Sequence, residues 1–185
     1  VADDTSAGKY YTEMEHHWDE AYGYFTDAID YPVNGTNRFW GKYANKSYLE
    51  GNLGTATNIS LAFRTGRAAI SAGNITDALA QKAIIVAEVK HMVAGMAIHY
   101  LNDAKGKIGT SSQDAINHSM SEALAFIFGI QFVTDSPDMS TADIMLLVNQ
   151  IEANVAGFTN NVQLINAAVD QIATATGLTA YKDIL

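Results

Sequence analysis

The stretch AINHSMSEALAFIFGIQFV, residues 115–133, decides the fold class. Its apolar residues recur at helical rather than alternating spacing and cover nearly the whole circumference of the helix they would form. Glu122 is the only acid in it. A helix of this character is normally buried, and a carboxylate within it needs a cation, a cluster of donors or a raised pKa. Glu122 is therefore expected to be largely inaccessible and to touch an arginine, a histidine or a bound cation.

Working outward, the same period dominates the chain. Thr12 and Glu15 have the spacing of a capping box, predicting a helix to about Ala28 that is stopped by Tyr31-Pro32. Residues 33–54 are rich in Asn, Gly and aromatics and read as a long irregular connection, with room for a short helix over 46–50. Helices are expected over 57–72, ended by Gly73, and from a cap at Asn74 or Thr76 to about residue 104. The KGKIGT run at 105–110 is a turn, and Ser111 or Ser112 caps the helix that contains the opening stretch. Pro137 interrupts, Ser140 caps another helix, and Gly177 closes a last one over 160–175. The fold class is all-α, a helical bundle. His16, Glu20, Ala21 and Tyr24 align with His118, Glu122, Ala123 and Phe126 at the heads of two three-helix sets. That match predicts two pseudo-repeated half-bundles, 9–105 and 111–177, inside a single helical domain spanning 1–185.

Composition narrows the function. Of 185 residues, 48% are hydrophobic and 17% charged, with only 2 prolines, which excludes disordered and Pro-rich classes. The net charge of −9 argues against a nucleic-acid backbone as partner, which needs a basic face. With 0 cysteines, thiol nucleophiles and Cys-ligated metals are excluded. The most apolar window, residues 78–101, is broken by Gln81, Lys82, Glu88, Lys90, His91 and His99, and so reads as a core helix rather than a membrane span. Motifs for phosphate loops, dinucleotide folds, serine hydrolases and zincins are missing from the sequence.

The remaining chemistry lies in His and Glu. At 100° per residue, Glu13, His16, His17 and Glu20 share one stripe of the first helix, so both imidazoles can meet Glu20. Neutral imidazole with carboxylate is a donor set for iron or another divalent metal. Glu88, on a stripe with Gln81, His91 and His99, and Glu122 are the further candidate ligands. Gly23 and Tyr24, one turn beyond Glu20, offer space and an aromatic wall. Arg64 and Arg67 are candidate ligand contacts, or neutralise Glu122 or Glu88 and so compete with a metal. Glu13-x-x-His16 and Glu88-x-x-His91 each fit half of a di-iron carboxylate pattern, but the helix over 57–72 has no acid to complete it. A metal-dependent enzyme of di-iron type, and a structural or protein-interaction bundle with no metal, stand as the alternatives to a binding protein.

The segment EHHWDEAYGYF at 15–25, with AFRTGR at 62–67 and SEALAFI at 121–127, resembles a domain-of-unknown-function family of bacterial cell-envelope lipoproteins. It is similar in turn to the imelysin-like, iron-regulated proteins, which are paired helical bundles with a G-x-H-x-x-E motif. His17-Trp18-Asp19-Glu20 matches the H-x-x-E core, and Glu15 stands where that motif has glycine. Members of the family are longer, so the resemblance implies that this chain is a C-terminal part. It further implies a periplasmic or surface-anchored envelope protein associated with iron or haem acquisition, with an iron-bearing small ligand, a metal ion or an envelope protein as partner.

Overall fold

The structure, a computed structural model, describes residues 3–4, 8–34, 38–133 and 139–185. They are helical almost throughout, as the periodicity predicts, the exception being a two-residue antiparallel pairing of β1 (Asp3–Asp4) with β2 (Tyr11–Thr12). The chain divides into two compact units, Val1–Val89 and Lys90–Leu185.

In the first unit, α1 (Glu13–Phe25) opens on the expected capping box. The Thr12 hydroxyl accepts from the Glu15 N–H at 3.1 Å, and the Glu15 carboxylate accepts from the Thr12 N–H at 2.7 Å. The helix stops three residues short of Ala28, because Thr26 is extended and the Tyr22 hydroxyl donates to the Ala28 carbonyl at 2.8 Å, folding the chain back. The segment expected to be irregular holds α3 (Ser47–Leu53), where a short helix over 46–50 is expected, and also α2 (Phe39–Ala44), which is not. Gly54, at φ 68°, ends α3 and starts α4 (Thr55–Ser71), a conformation that costs glycine little. Glu50 accepts the Ala56 N–H at 2.7 Å and the Thr57 N–H at 3.2 Å, closing the donors that a helix start leaves open. The buried Tyr31 ties these pieces together: its hydroxyl donates to the Gly41 carbonyl at 2.9 Å, and its own carbonyl accepts from Ser60 at 2.7 Å.

α5 (Ile75–Lys107) runs through the boundary between the units. By length and composition it is apolar enough to cross a membrane; Met92, Ala94, Met96, Ala97, Ile98 and Leu101 are buried in the second unit, while Leu79, Ile84 and Val86 are exposed. That unit continues with α6 (Gln113–Ile130), capped by Ser112, and α7 (Thr141–Ala153), whose Ser140 and Asp143 form a second capping box. α8 (Val155–Phe158) follows, and α9 (Val162–Thr176) ends at Gly177, φ 78°. Pro137, the expected breaker, lies outside the described residues.

The opening stretch is buried on one side only. Ile116, Ser119, Met120, Ala123, Phe126, Ile127 and Ile130 form its inner stripe. Glu122 sits about 100° round from the middle of that stripe. Glu122 is only partly exposed there, but the expected arginine or histidine partner is corrected: among the described residues its side chain makes no hydrogen bond or ion pair. Alanine and phenylalanine on the outer face made the helix look apolar all round, and Phe128 stays 43% exposed there.

Candidate functional site

The polar stripe of α1 forms as expected, and it faces water. His17 Nδ1 lies 3.4 Å from Glu20 Oε2, and His17 Nε2 lies 3.8 Å from Glu13 Oε1, so one imidazole stands between two carboxylates. Side-chain exposures of 65% for His17 and 49% for Glu20 leave the pair open to a ligand. His16 does not join Glu20: its ring stacks on Tyr11 with centroids 5.4 Å apart. Gly23 is open, a Cβ there meeting nothing within 4 Å, whereas Tyr24 lines a separate shallow cleft with Phe39, Trp40, Lys42 and Tyr43.

The other face of the same helix packs on α4 and uses residues that the spacing argument passed over. Trp18 is pressed against Gly66, where a Cβ would come within 2.1 Å of the indole, and its Nε1–H donates to the Phe63 carbonyl at 2.9 Å. Tyr22 meets Phe63 edge-on at 5.3 Å. Glu15 is buried, and its Oε1 accepts from Arg67 and from the Ser71 hydroxyl, each at 2.5 Å. The Ser71 hydroxyl, the Thr12 backbone N–H and the Thr12 hydroxyl, with the Arg67 guanidinium behind them, hold the Glu15 carboxyl down at about 2 against the opposing pull of burial. Arg67 Nε also donates to Asp19 at 2.8 Å. These residues form a clasp between α1 and α4, and it explains why glutamate stands at position 15. The signal for it was legible in Trp18 and in the Gly between the arginines of AFRTGR: a large ring and a missing side chain on two helices.

The alternative in which Arg64 and Arg67 neutralise Glu122 or Glu88 is corrected accordingly. Arg67 is taken by Glu15 and Asp19, and Arg64 is exposed, at the mouth of a cavity of about 240 Å³ that Trp18, Tyr22 and Phe63 line. Burial raises the Tyr22 phenol, with the Arg64 charge acting in the opposite direction. Glu88 is half-buried on α5 and accepts from Asn58 Nδ2 at 3.2 Å. Glu122 belongs to the second unit. Among the described residues, no group of three or more His, Asp or Glu is arranged to hold a metal ion.

What fold and site define is an all-helical protein with a small aromatic cavity and an open His/Glu pair on one helix. The chain belongs to the family described as Domain of unknown function (DUF4856), whose model matches residues 2–179. No curated protein and no solved structure matches it.

Proposed function

We propose that this chain is a binding module of the bacterial cell envelope that grips iron or another divalent metal, or a small ligand carrying it, through His17 and Glu20. The envelope address, the imelysin-like kinship and the link to iron acquisition rest on the resemblance of the EHHWDEAYGYF segment. The observation that carries the metal reading is the 3.4 Å between His17 Nδ1 and Glu20 Oε2. Two donors each about 2.1 Å from one metal, at a cis or tetrahedral angle, are themselves about 3.0–3.4 Å apart. Glu13, near the opposite ring nitrogen, is placed to orient the imidazole, as carboxylates do behind metal-bound histidines.

Two protein donors leave most of a coordination sphere to other groups, which suits a metal that arrives with a chelator in place. The test is titration calorimetry with ferric and nickel nitrilotriacetate, each offering two open cis positions. Saturable binding that falls at least about tenfold in both His17→Ala and Glu20→Ala, but not in His118→Ala, supports the reading. Equal binding by all variants, or none by the wild-type chain at millimolar chelate, overturns it.

A further inference from the structure

Arg64 and Arg67 stand three residues apart on α4, beside the same turn of α1, and only one of them is used by the fold. Arg67 is tied by Glu15 and Asp19. Arg64 makes no hydrogen bond or ion pair among the described residues. In a chain with 20 acids against 11 Lys and Arg, a guanidinium left over at the mouth of a cavity is a binding group without a partner.

The cavity of about 240 Å³ behind it is aromatic and already in place. The Trp18 indole is fixed by its bond to the Phe63 carbonyl and by its seat on Gly66, and the Tyr22 hydroxyl is held by Ala28. Walls fixed this way lose little freedom when a ligand enters. Ile29, at the rim, is 95% exposed, an apolar side chain in water that a ligand would cover. Asp19 also lines the cavity, but its charge is met by Arg67, so the cation still open there is Arg64.

We propose that this cavity binds a small aromatic carboxylate, its ring against Trp18, Tyr22 and Phe63 and its carboxylate on Arg64. The fixed fork of a guanidinium matches a carboxylate through two parallel hydrogen bonds. Aromatic walls select an aromatic body that can stack on one ring and meet another edge-on, and the volume limits it to one or two fused rings.

The experiment is calorimetric titration of the whole chain with 2-naphthoate and with its uncharged analogue 2-naphthol. The wild-type chain binds one 2-naphthoate saturably, and at least about tenfold more tightly than 2-naphthol. Arg64→Gln removes that preference, Arg64→Lys restores part of it, and circular dichroism shows each variant folded, because the side chain is exposed. His17→Ala binds 2-naphthoate like the wild type, which separates this cavity from the metal pair. Failure of 2-naphthoate to saturate the wild-type chain at millimolar concentration overturns the assignment, as does an Arg64→Gln variant that keeps the preference.

Discussion

The stripe of α1 that carries His17 and Glu20 and the stripe that carries Glu15, Trp18 and Tyr22 both combine acids with rings, yet one faces water and the other is locked against α4. The difference lies in α4. Where it offers Gly66, Arg67 and Ser71, an acid can leave water with its lone pairs filled, and Glu15 becomes a buried carboxylate held at about 2. Where no neighbouring helix supplies donors, Glu20 keeps its hydration and its pairing with His17 is a loose 3.4 Å. Burial of a charged side chain is a property of the facing helix before it is one of its own.

The comparison breaks most sharply at Gly66. Gly66→Leu places a Cβ within 2.1 Å of the Trp18 ring and so forces α1 off α4. We expect a loss of about 2–3 kcal/mol, read from the urea midpoint. Adding Trp18→Ala to that variant should return part of the loss, since it clears the colliding ring. If Gly66→Leu is as stable as the wild type, the clasp does not hold these helices together.

Acid probes the clasp next. The Glu15 carboxyl titrates near 2 in the folded chain against an ordinary value of 4.5, so its contribution is fully present above pH 4.5 and is lost as pH falls toward 2. Glu15→Gln should be less stable than wild type at pH 7, with the gap closing between pH 4.5 and 2. A gap that does not change with pH would mean that the charge contributes nothing.

The second unit has a smaller version of the same device. Ser119 on α6 is fully buried, accepts from Lys107 Nζ at 2.8 Å and donates to Asp103 at 2.5 Å. Burial works to raise the Asp103 carboxyl, but Lys107 and Ser119 outweigh it and hold the group below its ordinary range. Ser119→Ala should cost about 1 kcal/mol, the usual worth of a buried hydroxyl's bonds, checked by the same urea titration.

Much of this was legible in the chain. Capping at Thr12, Ser112 and Ser140 and the left-handed stop at Gly177 follow from short-range chemistry, and the structure has all four. Within residues 33–54 the short helix expected over 46–50 forms as α3, tied to the start of α4 through Glu50, whereas α2 was missed because Gly41 suggests a turn and the helix is held from outside by Tyr31. Glu122 misled for the reason α1 illustrates: a single helix shows which residues are polar, not which side is covered. The closeness of His17 and Glu20 was legible because their spacing is local. The clasp partners were not, because Glu15 and Arg67 are 52 residues apart and no local period links them.

The smallest effect on stability should come with the largest on binding. His17→Ala removes an imidazole that is 65% exposed and whose nearest acids stand 3.4 and 3.8 Å away. Exposed pairs of this kind contribute a few tenths of a kcal/mol, and alanine is a good helix former, so the urea midpoint should move by less than about 0.5 kcal/mol. The imidazole is nevertheless one of the two donors of the proposed metal grip, and a lone carboxylate can close on the metal only as a strained four-membered chelate, a weaker hold than imidazole and carboxylate together. Binding of nickel nitrilotriacetate should therefore fall at least about tenfold in a variant that unfolds with the wild-type protein. Gly66→Leu supplies the opposite pattern, since His17, Glu20 and the turn between them belong to one helix and do not depend on α4 for their spacing. A His17→Ala variant that loses stability as Gly66→Leu does would place the open stripe among the structural residues, and the two faces of α1 would no longer differ in role.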